Sequence, residues 1–299
     1  MAIDPRSLSI FLAVCRQGSI SAAARELAMS QPSVSVTIAQ LERKLGTRLF
    51  ERGRSGITLE RAGVAMMRRA EAMESLLQSA QREIDLIQSD VSGPLVVGGT
   101  PGALASLAPR AISRLKDRHP RFELRILERS DSVLLDLLRN ERIDLAIATT
   151  RIEAVPADIV EETILQDPFD LIVGRRNDHL PARVALSQLT GVPWVLPEAV
   201  GAFRRQIDAL FVSTQTPTPH DVVRCDSLLT TKAIVRGSDY VTILPREVAS
   251  AELSIGVLRA IKIDGADFLR NIGVRRLAGR ELTPIAEAFL TAIRQYPDP

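Results

Sequence analysis

Aromatic residues, cysteine and histidine are all scarce in this chain of 299 residues. Aromatic side chains make up 4% of the sequence, and one tryptophan and two tyrosines are present. The hydrophobic content is nevertheless 45%, so we expect two or three domains with cores packed mainly by aliphatic side chains. The three histidines are scattered, and no cysteine or histidine has the spacing of a metal site. The sequence therefore predicts no metal site and no cofactor.

The two cysteines, Cys15 and Cys225, fall in different predicted domains, which argues against an internal disulfide. Cys15 shares the apolar face of a predicted first helix with Leu8 and Phe11, so we interpret it as a core residue.

Signals for membranes and for catalysis are also missing. The chain has no apolar run of 18 residues and no secretory signal, which predicts a soluble, cytoplasmic protein. It contains no G-x-S-x-G motif, Walker loop or G-x-G-x-x-G fingerprint. Residues 98–102 are rich in glycine, but they lack dinucleotide spacing and the P-loop lysine. With no catalytic set in the sequence, we do not expect an enzyme.

The segment 19–54 has the pattern of two short helices, a tight turn and a basic hairpin. Ser19 and Ser30 are placed to cap the two helices, and Pro32 falls in the first turn of the second, where a missing N–H costs nothing. The second helix has one apolar face that must be buried, formed by Val34, Ile38, Leu41 and Leu45.

The opposite face of this second helix carries short polar and small apolar side chains, with no acidic residue in its first two turns. Such a face fits a DNA major groove, because Ser, Thr and Gln reach base edges or phosphates and an apolar tip can meet a thymine methyl group. The predicted DNA-contacting residues of the helix are Ser30, Gln31, Pro32, Ser33, Ser35, Val36, Thr37 and Gln40. Periodicity alone leaves a helical pair packed in any core as the alternative.

The hairpin predicted after this helix would aim Arg52 and Arg54 at phosphate or at the minor groove. A merely solvated turn is the alternative for these residues. Residues 1–60 contain eight basic and five acidic residues, a net charge of +3, compared with +2 for the whole chain. This local excess favours a modest electrostatic footprint on phosphates.

Residues 59–89 predict one long helix with a narrow apolar seam. Its apolar residues alternate spacings of four and three over four heptads, as in a coiled coil: Leu59, Gly63, Met66, Ala70, Met73, Leu77, Ala80, Ile84 and Ile87. A core helix of this length needs a broader apolar face, so we interpret it as a dimerisation helix. A two-fold dimer predicts a pseudo-palindromic DNA site. Residues 92–94, Ser-Gly-Pro, are predicted to end the helix and act as a hinge.

From residue 95 onward, short apolar strands alternate with amphipathic helices. Strands are predicted at 95–99, 122–128, 143–149, 159–165, 169–174, 192–196, 221–224, 240–244, 255–261 and 271–276, and helices at 103–117, 131–139, 202–213, 228–236 and 281–295. This alternation predicts a parallel or mixed sheet flanked by helices. We divide it into two α/β lobes, one of about 93–166 and 268–299 and the other of about 167–267.

Several of these strands end next to a helix start that offers hydroxyl groups or free N–H groups. Ligands of open α/β lobes bind at such positions, and helix starts favour an anion, notably a carboxylate. The predicted ligand-binding residues are Thr100, Pro101, Gly102, Ser130, Thr149, Phe203, Asp226 and Ser227, with Phe203 as an apolar wall. Ordinary N-capping explains any one of them taken singly.

The whole of residues 5–60 resembles the winged helix-turn-helix of LysR-type transcriptional regulators. The matching pattern is Phe11, Gly18-Ser19, Ala22-Ala23, Leu27, Ser30 to Ser35, Ile38, Leu41-Glu42, Leu45-Gly46, Leu49-Phe50, Arg52 and Leu59. Two residues depart from this pattern. Val36 stands where the family often has a basic or polar residue, and Glu60 stands where the family usually has a threonine. Looser motifs, such as Ile143 to Ile147 and Ile243-Leu244-Pro245, extend the resemblance to the family's two-lobed effector domain, which looks like a periplasmic binding protein.

The resemblance implies an α/β protein with three parts: a DNA-binding domain over 1–60, a linker and dimerisation helix over 61–92 and an effector-binding domain over 93–299. It implies a sequence-specific regulator of transcription, gated by a small organic anion and assembled as a homodimer or homotetramer, with RNA polymerase as a further candidate partner. The alternatives are a solute-binding module or enzyme with a helical dimerisation head, and an architectural DNA binder without a ligand.

Overall fold

The computed structural model describes residues 3–53, 56–88, 92–198, 201–265 and 269–295. The chain folds into two compact units. The first comprises Met1–Asp85 with Arg139–Arg142, and the second comprises Leu86–Leu138 with Ile143–Pro299.

The first unit is a helical domain with a β-hairpin. Its elements are α1 (Pro5–Gln17), α2 (Ile20–Glu26), α3 (Gln31–Leu45), β1 (Phe50–Gly53), β2 (Gly56–Leu59) and α4 (Arg61–Gln88). The predicted caps are present, because the hydroxyl of Ser19 accepts the Ala22 N–H and that of Ser30 accepts the Ser33 N–H. The Glu42 carboxylate accepts the N–H groups of Leu49 and Phe50, at 2.7 and 3.2 Å, and so ties α3 to the hairpin.

The core of this unit is aliphatic, as expected, with one pair of aromatic rings. Val34, Ile38 and Leu41 of α3 are buried, and the small side chain of Ala23 lies in the same cluster. The rings of Phe11 and Phe50 are 5.1 Å apart. The two cysteines are free, and burial raises the pKa of the Cys15 thiol at the edge of this core to about 11.

The apolar seam of α4 divides into two halves. Met66, Ala70 and Met73 in the first half pack against the helical core. In the second half Leu77, Ile84 and Ile87 are 57%, 53% and 70% exposed. The first half of the seam therefore belongs to the fold of one chain, and the second half is left without intramolecular cover.

The second unit is a mixed sheet with helices on its faces. Its elements are β3 (Ser92–Gly99), α5 (Pro101–Arg118), β4 (Phe122–Glu128), α6 (Asp131–Arg139), β5 (Leu145–Thr149), β6 (Ile159–Val173), β7 (Arg183–Val184), β8 (Trp194–Leu196), α7 (Ala202–Ser213), β9 (Val222–Arg224), α8 (Leu228–Gly237), β10 (Val241–Pro245), α9 (Ser250–Ser254), β11 (Arg259–Ile263), β12 (Leu269–Leu277) and α10 (Pro284–Arg294). The main strand order is β4-β3-β5-β12-β6-β10-β8-β9, and β11 pairs with β6 and β7.

The long strand β6 is shared by two lobes. Ile159 to Pro168 pair with β12, and Phe169 to Val173 pair with β10 on the far side of the crossing. In the first lobe, Leu107 of α5 and Phe289 of α10 share a core. The second lobe is packed around Trp194, whose ring meets Phe211 edge-on at 5.6 Å.

Three predicted segments differ from the structure. Residues 92–94, predicted as a hinge, begin β3 instead, because the Arg121 carbonyl accepts the Ser92 N–H at 3.0 Å. The two strands predicted at 159–165 and 169–174 are one strand. The strand predicted at 255–261 begins only at Arg259, since residues 250–254 form α9 and Gly256 turns the chain with a φ of 70°.

Among the described residues, no single helix is long and apolar enough to cross a membrane; α1 and α2 meet the length and composition criterion only as a pair, and that pair is bent by 118°.

We expect Gly63→Ala to destabilise the helical unit. A Cβ atom at this position of α4 would lie 2.1 Å from the backbone oxygen of Leu49 and 2.8 Å from the Leu59 side chain, and such overpacking costs about 1–3 kcal/mol. Gly237→Ala is the control, because a Cβ atom there meets nothing within 4 Å. Amide hydrogen exchange of α1 to α3 measures the effect, and equal exchange in both variants would contradict it.

Candidate functional site

The face of α3 that was predicted to contact DNA is exposed. Gln31, Pro32, Ser33 and Gln40 are exposed, Ser35 and Thr37 are half-buried, and Val36 is 53% exposed. The hydroxyls of Ser30 and Ser33 lie 2.7 Å apart at the helix start, and the Thr37 hydroxyl donates to the Ser33 carbonyl at 2.9 Å.

The ends of α3 differ in their charged side chains. Its first turn has no acidic residue, and Arg43 and Lys44 occupy its last turn. The N-terminal end of a helix carries partial positive charge and free N–H groups, which suit phosphate. The exposed face thus combines small polar tips with an anion-favouring end.

The predicted hairpin is present, with β1 and β2 antiparallel and Arg52 opposite Ile57 in the ladder. Only the backbone of Arg52 is described. Arg54, the second predicted phosphate contact, lies outside the described residues.

The second unit encloses a cavity of about 410 Å³ at the crossing of its two lobes. Seven of the eight predicted effector-binding residues line it: Thr100, Pro101, Gly102, Ser130, Thr149, Phe203 and Asp226. The eighth, Ser227, does not line it; its hydroxyl caps α8 by accepting the Thr230 N–H at 3.3 Å. That position illustrates why a polar residue at a helix start is by itself a weak indication of a ligand.

Arg270 of β12 also lines the cavity, although it was not among the residues predicted from the sequence. The side chain is buried, with 2% of the residue exposed. Its Nε donates to the hydroxyl of Thr149 at 3.1 Å, and its guanidinium carbon lies 6.0 Å from the centre of the Phe203 ring. Burial lowers the pKa of Arg270 to about 10, opposed by the nearby carboxylates of Asp167 and Asp131, so the group is cationic at neutral pH.

One sequence signal could have revealed this residue. Along β12 the side chains of Arg270, Ile272 and Val274 are all buried, which is the period-two alternation of a strand. A charged residue at an inward position of such a pattern marks a site to examine, since an unpaired buried charge is costly.

Asp167 lies opposite Arg270 in the β6–β12 ladder, where β6 passes from one lobe to the other. It is 1% exposed, and its two carboxylate oxygens accept the Glu247 N–H at 3.2 and 3.3 Å. Burial raises the pKa of Asp167 to about 6, although hydrogen bonds from backbone N–H groups and the charge of Arg270 act to lower it.

Asp131 begins α6 beside the same cavity and has a different partner. Arg275 donates to the Asp131 carboxylate at 3.4 Å, to the Glu161 carboxylate at 2.7 Å and to the Thr149 carbonyl at 2.9 Å. Burial raises the pKa of Asp131, and the charges of Arg275 and Arg270 act against that shift. This network holds Asp131 away from a direct ion pair with Arg270.

Two family models match the chain in succession. The bacterial regulatory helix-turn-helix protein model of the lysR family matches residues 5–64. The LysR substrate binding domain matches residues 88–298, which is more than half of the chain. The chain belongs to the LysR family of transcriptional regulators.

Curated relatives of this family member match nearly its whole length. The HTH-type transcriptional regulator CbbR of Rhodospirillum rubrum is 28% identical over 97% of this chain and 95% of its own. GbpR of Azospirillum brasilense is 27% identical over 98% of this chain and 86% of its own.

Solved structures share the fold. The full-length LysR regulator CbnR in complex with its target DNA is 21% identical, with a TM-score of 0.73, over 98% of this chain and 99% of its own. A full-length variant of OxyR from Pseudomonas aeruginosa is 22% identical, with a TM-score of 0.67, over 98% of this chain and 95% of its own.

This LysR-family protein is a DNA-binding transcriptional regulator with a substrate-binding effector domain. Its exposed α3 face lies within the matched helix-turn-helix segment, and the cavity around Arg270 lies within the matched substrate-binding segment. The two sites thus fall in different units of the chain.

The pKa of Asp167 predicts a pH effect that Asp167→Asn removes. The pKa is about 6 in the folded state and 3.8 at its ordinary value, so the folded protein binds more protons between these limits. As pH rises from 4 to 7, wild type loses about 2 kcal/mol of unfolding free energy relative to the variant. Urea unfolding of both proteins at the two pH values measures this difference. An unchanged difference would contradict the raised pKa.

Proposed function

We propose that this regulator binds promoter DNA as a dimer through α3 and the hairpin, and that a small organic anion in the cavity modulates this binding. The observation that carries the effector part is the buried cation Arg270 at a cavity wall. Binding of the anion would favour one arrangement of the two lobes, and only a difference in affinity between two arrangements can drive such a change.

The DNA-contact residues proposed are those of the exposed α3 face, from Ser30 to Gln40, with Arg52 and Arg54 of the hairpin on phosphate. Exposure supports this assignment for α3, because Gln31, Ser33 and Gln40 point away from the core while Val34 and Ile38 are buried. Val36, exposed and apolar, fits contact with a thymine methyl group.

Two substitutions separate base contact from phosphate contact. We expect Gln31→Ala to weaken binding to the promoter DNA roughly tenfold or more and to relax its sequence preference, since a lost base contact costs about 1–3 kcal/mol. We expect Arg52→Ala to weaken binding to all sequences and to lower the salt slope by about 1. Fluorescence anisotropy over a range of salt concentrations measures both.

Arg176→Ala is the matched control for these variants, because Arg176 is an exposed arginine of the other unit that pairs with Asp239. A change in DNA affinity as large as that of Arg52→Ala would show that general positive charge, rather than the hairpin, accounts for the effect. Unchanged binding in both Gln31→Ala and Arg52→Ala would refute the proposed contacts.

The anionic character of the effector is supported by the polar end of the cavity. Thr100 precedes α5 and Ser130 precedes α6, so the N–H groups of two helix starts lie at the cavity wall. The Thr100 hydroxyl is buried and has no hydrogen-bond partner among the described residues. Together with the positive charge of Arg270, these donors favour a negatively charged group.

Dimerisation through the second half of α4 is supported by its exposed apolar seam. Leu77, Ile84 and Ile87 continue the spacing of the buried half of the seam, yet they stay exposed in one chain. A second copy of the helix would cover them. The proposal also includes a tetramer built from two such dimers, and contact with RNA polymerase. It further includes a cytoplasmic location and no enzymatic activity.

We expect Ile84→Asp to raise the dimer dissociation constant by at least about tenfold, because a carboxylate would be placed in the apolar seam. Leu229→Asp on α8 is the control, since Leu229 is also an apolar helix residue and is 77% exposed. Sedimentation velocity over a concentration series measures the dissociation. If both variants dissociate equally, or neither does, the seam is not the dimer contact.

A further inference from the structure

We infer that the effector is a monocarboxylic acid with an apolar body, and that Arg270 holds its carboxylate. This inference rests on the proposed function, because it narrows the organic anion to one chemical class. It also assigns the recognition of the negative charge to a strand residue at the crossing of the lobes, in addition to the helix starts.

The Arg270 guanidinium has hydrogen-bond donors arranged to bind a planar anion. Its Nε is occupied by the Thr149 hydroxyl, whereas Nη1 and Nη2 donate no hydrogen bond to any described residue. No acidic side chain in the described part of the chain forms an ion pair with it. A guanidinium with two free parallel donors matches a carboxylate in a bidentate pair.

The two nearby carboxylates cannot replace a ligand at this point. Asp167 is hydrogen-bonded to the Glu247 N–H, and Asp131 is engaged by Arg275. Arg270 is therefore buried with no direct partner for its charge, which is a costly arrangement. An entering carboxylate would provide that partner.

The surroundings of Arg270 Nη1 place the carboxylate of the ligand, here called its head, close to α5. A Cβ atom on Gly102 would lie 2.8 Å from Nη1, so the guanidinium rests against the first turn of this 18-residue helix. The buried hydroxyl of Thr100, which has no partner among the described residues, precedes that turn. The head of the ligand would meet the guanidinium, this hydroxyl and the free N–H groups of the helix start.

The rest of the cavity favours an apolar body. Its second-lobe wall is formed largely by aliphatic and aromatic side chains, namely Val195, Leu196, Phe203, Leu228, Leu244 and Val248. Burial of apolar surface against such a wall favours binding. The head and body would then contact opposite lobes, so the ligand would stabilise the arrangement in which both walls meet it.

Among the described lining residues, none could bind a second negative group of the ligand in the way that Arg270 would bind the first. Arg204 is bound to Asp208 and to the Pro197 carbonyl, and Arg129 donates to the carbonyl of Glu128. The described lining also has three acidic residues, which outnumber these two cations. A dicarboxylate or a phosphate dianion would therefore leave negative charge without a partner inside a largely apolar cavity.

The experiment uses the full-length protein and two readouts, thermal unfolding and titration calorimetry. The acids are benzoate, phenylacetate and hexanoate. Benzamide, phenylacetamide and hexanamide are their uncharged counterparts, and succinate and inorganic phosphate are the dianions. We expect at least one monocarboxylate to raise the melting temperature and bind at least about tenfold more tightly than its amide and than either dianion.

Two variants test the role of Arg270 in different ways. Arg270→Gln removes the charge, and Gly102→Ala keeps it but displaces Nη1. We expect each to weaken binding of the acid by about tenfold to a hundredfold, as for a charged hydrogen bond, without changing binding of the amide. Gly237→Ala, in open space, is the control and is expected to bind as wild type does. Circular dichroism confirms that each variant is folded.

The outcomes separate this inference from the proposal on which it rests. Amides that bind as tightly as acids overturn both this inference and the anionic effector. Succinate or phosphate binding more tightly than every monocarboxylate overturns only the inference and leaves an anionic effector in place. Unchanged acid binding in both Arg270→Gln and Gly102→Ala, or no binding by any acid up to roughly 10 mM, also overturns the inference. Promoter binding, measured separately, is independent of all of these.

Discussion

The antiparallel pairing of β6 with β12 is the constraint on which the effector unit depends. β6 passes through both lobes, and β12 begins where β6 crosses between them. Because facing residues in such a ladder have a set register, Asp167 and Arg270 are brought together at the crossing, although they are far apart in sequence. Both charges are buried there, one on each strand, and each takes its hydrogen bonds from different neighbours.

This register also places one arginine of β12 at the cavity. The strand that places Ile272 and Val274 in the core also turns Arg270 inward, where Thr149 fixes its Nε and the first turn of α5 lies against Nη1. Arg275, further along the same strand, holds Asp131 with a second set of donors. Arg275 thus completes a network within the lobe, and Arg270 of the same strand faces the cavity.

The helical unit follows a similar division along α4. Close packing at Gly63 and the Met66, Ala70 and Met73 contacts fix the start of the helix against the DNA-binding core. The remainder of the same seam is exposed at Leu77, Ile84 and Ile87. One helix therefore has an intramolecular part, which supports the position of α3, and a part whose apolar side chains are available to a second chain.

The sequence by itself determined the features that depend on neighbours a few residues apart. Helix periodicity defined both faces of α3, and serine at a helix start predicted its cap, because these interactions lie within one or two turns. The hairpin and most strands could be predicted for the same reason. Seven of the eight residues chosen near strand ends also line the cavity, since the carboxyl ends of parallel strands share one edge of a sheet.

Only the tertiary structure decided what depends on register between distant segments. The burial of Arg270 and Asp167 follows from the pairing of β12 with β6, and the pairing of Ser92 with the start of β4 turned a predicted hinge into a strand. Ser227, chosen by the same local rule as Thr100, caps its helix instead of lining the cavity. Local patterns do not encode these outcomes, because each depends on which distant strand or helix lies alongside.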